Sequence, residues 1–329
     1  MLYLHGVGHF HPENEITNKF LTDLDIGTSD EWIIERTGIH SRRTVLPLDY
    51  IRETRNQDIR AATEAAEYTN AEMGRRAAEL AIARAGIAPS EVGLVVGGGS
   101  APALVSPAEA CITAAALEID AVAFDVGSAC TSFPAAIYVL SLMRADRLPP
   151  YVLVVQAETL TRVVDYNDRS SAVLFGDGAV AAVLSASAPG RAAILHSSLD
   201  SNPKGYSKVT IPWAGYFFQE GVTVQSFAIK KTVRALRALQ QRYGKAGDGR
   251  MHFIGHQANL LMLQNVCRSC DIPDDRHLSN VANFGNTGTA GAPAVLSGHW
   301  EKFGSGDQVA IVGVGAGLTW ASMMIGFGV

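Results

Sequence analysis

The 329-residue chain has only four cysteines and contains no apolar run of about 18 residues. So few thiols do not make a disulfide framework, and no segment reads as a membrane-spanning helix. Cys267-Arg268-Ser269-Cys270 has the spacing of a metal or redox pair, but it falls in a helical pattern with no second ligand pair nearby. No metal site is expected there. A strong charge imbalance is missing as well: the net charge is −5 and the isoelectric point is near 6.0, which gives no reason to expect nucleic acid. The opening residues, Met1-Leu2-Tyr3-Leu4-His5, lack the basic region and apolar segment of a signal peptide, so a cytoplasmic location is expected.

What the chain does have is a hydrophobic content of 47%, ample for a large buried core of about two ordinary domains. Short β-branched runs alternate with alanine-rich stretches. The pattern predicts strands over 93–98, 121–126, 151–157 and 178–185, with a helix over 130–144. Looser repeats of the same grammar place strands near 192–199, 252–256, 279–283 and 308–314. Such alternation predicts an α/β fold with mostly buried sheets. Strand-to-helix corners at Cys130 and at Gly285-Asn286 occupy comparable places, which suggests a duplication with halves at 1–188 and 189–329. The seam falls at the Pro189-Gly190 turn signal.

Cys130 follows Phe124-Asp125-Val126-Gly127-Ser128-Ala129, where a strand runs through small residues into a helical pattern. A thiol at a helix N-terminus faces unpaired N–H groups and the positive end of the macrodipole, so a lowered pKa is expected. Cysteine is also a common small core residue. Two further motifs favour chemistry. Phe253-Ile254-Gly255-His256-Gln257-Ala258-Asn259 ends an apolar run in a histidine, and Gly285-Asn286-Thr287-Gly288 is a glycine-rich turn before a second apolar run. Papain-like proteases use the same three residue types, but with the cysteine near the mature N-terminus and different local sequences.

These motifs, with Gly6-Val7-Gly8, Thr28-Ser29-Asp30-Glu31-Trp32-Ile33, Arg36-Thr37-Gly38-Ile39, Phe175-Gly176-Asp177-Gly178-Ala179 and Gly317-Leu318-Thr319-Trp320, occur in an order and spacing that resembles the β-ketoacyl-acyl carrier protein synthase III (KAS III) group of thiolase-fold condensing enzymes. The resemblance covers nearly the whole chain. It implies a five-layered αβαβα fold, one active site drawn from both halves, and a homodimer formed largely by the first half. It implies Cys130 as nucleophile, with backbone N–H groups of Cys130 and Ala316 as the oxyanion hole. His256 and Asn286 then donate hydrogen bonds to a malonyl thioester carbonyl as carbon dioxide leaves. Trp32, Arg36 and Arg169 fall where the group contacts coenzyme A, and Asn259 where it lines the pantetheine tunnel. Ser106, with Val105 beside it, falls where a phenylalanine often closes the acyl pocket from the dimer partner, so a roomier or more polar pocket and a primer other than acetyl are expected.

The implied reaction is decarboxylative Claisen condensation of an acyl-CoA primer with malonyl-acyl carrier protein or malonyl-CoA, with no cofactor beyond the thioester substrates. Two rivals stand beside it. One is an acyltransferase of the same fold that delivers the acyl group to an oxygen or nitrogen; retention of Asn286 beside His256 argues against it. The other is a non-catalytic partner subunit, against which stands the presence of all three residues. The stretch at 46–60 departs from the group's pattern by about a dozen extra residues and, with its mixed charge and proline, reads as a surface loop.

Overall fold

The first strand, β1 (Leu2–Phe10), carries glycines at 6 and 8 because a helix backbone lies directly on it. A Cβ on Gly6 would sit 2.2 Å from the Ala81 carbonyl oxygen, and one on Gly8 2.1 Å from that of Ala77. Both carbonyls belong to α2 (Asn70–Ala85), the first long helix after α1 (Asp30–Thr37); Thr69 caps α2 by accepting the Glu72 N–H and Gly86 closes it at φ +67°.

The structure, a computed structural model, describes residues 1–244 and 250–328. The other strands of the large sheet are β2 (Val92–Gly97), β3 (Val122–Asp125), β4 (Tyr151–Glu158), β5 (Gly178–Ser185), β6 (Ala192–Ser201), β7 (Met251–Gly255), β8 (Gln308–Gly315) and β9 (Thr319–Phe327). Their spatial order is β7-β8-β9-β6-β1-β5-β4-β2-β3. The sheet is two copies of one pattern. Outward from the centre, β1-β5-β4-β2 and β6-β9-β8-β7 are each paired antiparallel, antiparallel, then parallel. The copies join where Leu2–Leu4 run antiparallel to Ala192–Ile194.

In the first copy β3 extends the sheet in parallel beyond β2, whereas in the second its counterpart shrinks to a bridge between Phe253 and His277. The strand expected over 279–283 does not form. Gln257 Oε1 instead accepts the N–H groups of Asn280 and Val281, and Val281–Phe284 coils into a helical turn.

Two helices lie between the copies. One, α4 (Ser132–Leu142), packs on β4 and also on β6 and β9; the other, α7 (Gly291–Gly298), packs on β1 and β5 and also on β7. Each is therefore apolar or small on every side, as residues 132–137 and 291–297, all buried, require. Outside the sheet, α2 and α3 (Glu109–Ala116) cover the first copy, and α5 (Gly221–Tyr243) covers the second. This is the expected αβαβα layering. Among the described residues no helix is long and apolar enough to cross a membrane.

The 46–60 stretch is not a surface loop. It folds into helices Leu48–Thr54 and Ile59–Ala65, with Leu46, Ile51 and Ala62 fully buried. Asp58 caps the second helix, and buried Asn56 donates to the carbonyls of Arg162 and Val164. Its few apolar residues are enough because they dock on a core that other segments already supply.

Candidate active site

Cys130 sits in a tight 3-10 turn, Ala129–Thr131, that feeds α4 at Ser132. Ala129 takes a left-handed φ of +47°, an uncommon conformation for a residue with a Cβ and a small local strain. Cys130 keeps part of its surface open to a cavity of about 380 Å³. Trp32, Asn259, His256, Asn286 and Ala316 line the same cavity, so residues from both halves of the chain meet there.

His256 follows β7 directly, its N–H bonded to the Val312 carbonyl at 2.9 Å. Burial holds its imidazole down at about 4, so the ring is neutral near pH 7. Asn286 is pinned to the first half: its N–H donates to Leu174 O at 2.8 Å and its carbonyl accepts from Gly176 N at 3.1 Å. Glycine is required at 176, where a Cβ would lie 2.1 Å from the Phe284 carbonyl oxygen. Asn286 Oδ1 accepts the Gly288 N–H at 3.0 Å, which leaves the Nδ2 donor for a ligand.

The loop carrying Ala316 is tied to the cysteine turn. Gly315 packs so closely that a Cβ would be 3.2 Å from the N atoms of Cys130 and Thr131. Thr319 donates its hydroxyl to Ala316 O at 3.1 Å. At the mouth of the cavity the guanidinium carbons of Arg36 and Arg169 lie 4.5 and 4.7 Å from the Trp32 ring centroid. Asn259 caps α6 (Leu260–Ser269) by accepting the Met262 N–H, and donates to Arg36 O at 2.8 Å.

One expectation is corrected. The Cys130 thiol is not lowered: burial, and then the Glu158 carboxylate, push it up to about 12. A helix N-terminus typically supplies about 0.3–1 kcal/mol, too little to offset that desolvation. Ser106, expected in the pocket of a dimer partner, lies away from the cavity of its own chain. It is exposed on the segment before α3, next to Val105, which is 73% exposed, because residues 102–107 run outward over the surface.

Other residues at the site escaped the sequence reading. Phe217 and Gln225 line the cavity, the latter from α5, as does Phe175, which the sequence offered only as part of a motif. Glu158 lies behind the cysteine, and its signal was an acid ending the otherwise uncharged buried run 152–157.

The family model described as 3-oxoacyl-[acyl-carrier-protein (ACP)] synthase III matches residues 124–203, and that of its C-terminal part matches 246–327. The β-ketoacyl-[acyl-carrier-protein] synthase III of Aliarcobacter butzleri (strain RM4018) is 30% identical, covering 98% of this chain and 96% of its own length. The crystal structure of 3-oxoacyl-[acyl-carrier-protein] synthase III from Aquifex aeolicus VF5 superposes with a TM-score of 0.87 at 28% identity, covering 99% of this chain and 100% of that one. The priming β-ketosynthase from the R1128 polyketide biosynthetic pathway superposes with a TM-score of 0.82, also at 28% identity, covering 99% and 96%.

Proposed function

The chain belongs to the β-ketoacyl-[acyl-carrier-protein] synthase III family of condensing enzymes, and from that premise we propose that it joins an acyl-CoA primer to malonyl-acyl carrier protein through an acyl-Cys130 intermediate. The observation that carries the reading is the shared cavity of Cys130, His256 and Asn286.

In the first half-reaction the Cys130 sulfur attacks the primer's thioester carbonyl, and coenzyme A leaves as a thiol. The Cys130 and Ala316 N–H groups receive the oxyanion. In the second, His256 and Asn286 donate to the malonyl thioester carbonyl. The bond to the carboxylate breaks, carbon dioxide departs, and the enolate carbon attacks the acyl carbonyl, returning the Cys130 thiolate. Loss of carbon dioxide makes the carbon nucleophile without a strong base. A neutral imidazole suits this step, since it can donate through one ring nitrogen without carrying charge.

Trp32, Arg36 and Arg169 bind the coenzyme A headgroup, and Asn259 lines the path of the pantetheine arm. The assembly is a homodimer through the edge of the sheet. Support for this comes from β3, an edge strand, where Val122 is 67% exposed, and from the exposed apolar pair Leu104 and Val105. In that dimer Ser106 faces the partner's acyl pocket.

Intact-protein mass spectrometry after exposure to a panel of acyl-CoAs tests the reading. The wild type should gain the mass of one acyl group from its preferred primer, and Cys130→Ala none. A stable adduct on Cys130→Ala overturns the nucleophile, and no adduct from any acyl-CoA overturns the primer class.

A further inference from the structure

We propose that the groove between α5, β6 and β9 binds a small molecule of the polyphosphate class, at a site that shares no lining residue with the cavity of Cys130. Across Gly221–Tyr243, α5 carries Lys230, Lys231, Arg234, Arg237 and Arg242 and not one acidic residue, in a chain whose net charge is −5. Lys231, Arg234 and Arg242 fall on one face of the helix and line a cavity of about 550 Å³, with Ala235 and Ala238 keeping the space between them open. Among the described residues none of these three cations forms an ion pair, so their mutual repulsion along the helix is unrelieved.

The opposite wall belongs to the sheet. In the first copy α2 lies directly on the central strand β1, whose glycines admit it. In the second copy α5 packs on β8 and β9, and the central strand β6 has no glycine to admit a helix, so a groove is left over residues 196–200. The register pairs Asp200 with Trp320 and Ser198 with Ser322, and alternation brings His196 to the same side. The Ser198 and Ser322 hydroxyls are 2.8 Å apart. Both ends of the groove are pinned. At one, Lys231 Nζ rests 3.5 Å from the Trp320 ring centroid, with Phe227 edge-on to the same ring at 5.7 Å; at the other, the Tyr243 hydroxyl donates to Leu195 O at 2.9 Å.

The lining selects the ligand. Helix rise places Arg234 about 4.5 Å beyond Lys231 and Arg242 about 12 Å beyond Arg234, so the positive charges form a row rather than a cluster. A row suits a chain of phosphates better than a single phosphate or carboxylate. Two guanidinium forks and an ammonium match phosphate oxygens, to which the Ser198 and Ser322 hydroxyls can also donate. Asp200 is the one acid in the lining, which leaves a positive excess for the ligand to neutralise. His196 is held below its ordinary value first by burial and then by Arg242, so at pH 7.5 it offers a ring N–H without adding charge. An acidic protein surface is the other source of negative charge. It would meet the outer cations Lys230 and Arg237 as readily, whereas Ser322, 5% exposed, and half-buried Ser198 and His196 are within reach only of a slim ligand.

Isothermal titration calorimetry at pH 7.5 with inorganic tripolyphosphate, orthophosphate and adenosine triphosphate tests the site without any acyl-CoA. Tripolyphosphate should bind once per chain, at least about tenfold more tightly than orthophosphate, because it reaches more than one cation. Arg234→Gln with Arg242→Gln, both at exposed positions, should weaken it about a hundredfold, roughly tenfold for each charge-assisted contact. Lys230→Gln with Arg237→Gln removes the same charge from the outer face and should change affinity by no more than about twofold. No tripolyphosphate binding by the wild type, or equal losses from the two pairs, overturns the site. So does binding that survives Arg234→Gln with Arg242→Gln and is lost in Arg36→Gln with Arg169→Gln, since the phosphates would then sit at the mouth of the Cys130 cavity. A polyglutamate peptide that binds as tightly as tripolyphosphate overturns the phosphate class in favour of an acidic protein. Adenosine triphosphate separates the two sources of the same chemistry: binding tighter than that of tripolyphosphate assigns a nucleotide, and weaker binding an inorganic chain.

Discussion

Thr131 and Thr319, 188 residues apart in sequence, share a 2.8 Å hydrogen bond between their hydroxyls. Thr131 follows the nucleophile, and Thr319 also holds the carbonyl of Ala316, so this one contact sets the spacing between the two proposed oxyanion donors. Thr319→Val keeps the shape and removes both bonds. Acyl-enzyme formation should slow by about ten- to a hundredfold, while stability falls by only about 1–2 kcal/mol. Stopped-flow acylation together with urea unfolding checks this, and an unchanged acylation rate removes Thr319 from the oxyanion hole.

Asn286→Ala and His256→Ala should separate the half-reactions. Both variants should still take the acyl group onto Cys130, because neither side chain is assigned to that step. Condensation should drop by about a hundred- to a thousandfold, the usual effect of losing one oxyanion donor. Release of labelled carbon dioxide from a malonyl thioester is the readout. Release at the wild-type rate in both variants refutes the assignment.

Acid should act on stability through His256, whose folded pKa of about 4 lies below its ordinary 6.5. Between those values the unfolded chain binds the extra proton. The contribution of this residue is therefore complete above pH 6.5 and is lost as pH falls toward 4. Glu158 and Asp177, raised to about 7 and about 6, have the opposite sign and favour the folded state as pH falls through that range. Comparing wild type with His256→Gln isolates the histidine. The stability difference should shift by about 3 kcal/mol in favour of the variant from pH 7 to pH 4. Urea titrations at several pH values measure it, and a pH-independent difference contradicts the buried neutral imidazole.

The edge strand carries the prediction about assembly. Val122→Lys places a charge on the outermost strand and should shift the protein from dimer to monomer in light scattering, with little change in monomer stability. Ser106→Phe, in contrast, should leave the assembly intact and lower the rate with long acyl-CoAs relative to acetyl-CoA by about tenfold or more. An unaltered ratio takes Ser106 out of the partner's pocket.

Patterns set by near neighbours were legible in the sequence. Apolar runs placed seven of the nine strands, and the strand-to-helix corner at Cys130 is where the chain turns into α4. Gly176 and Gly288 were visible as parts of motifs, but their reasons were not: each makes room for an atom more than a hundred residues away, Phe284 O and Glu158 Oε1. The failed strand at 279–283 has a similar cause, since Gln257 takes the backbone N–H groups that a sheet edge would have used.

By itself the sequence determined the alternation of strands and helices, the duplicated order, and which residue types stand at the corners, because these depend on propensity and spacing along the chain. Only the tertiary structure decided the ionisation of the site. A thiol at a helix start is expected to be acidic, yet Cys130 is raised to about 12 because its burial and the nearness of Glu158 come from the packing of separate segments. Tertiary packing likewise turned the 46–60 stretch into two docked helices and set the Ser100 hydroxyl against the buried Glu158 carboxylate. Desolvation and through-space charge depend on what surrounds a group in three dimensions, and that is absent from the order of residues on either side of it.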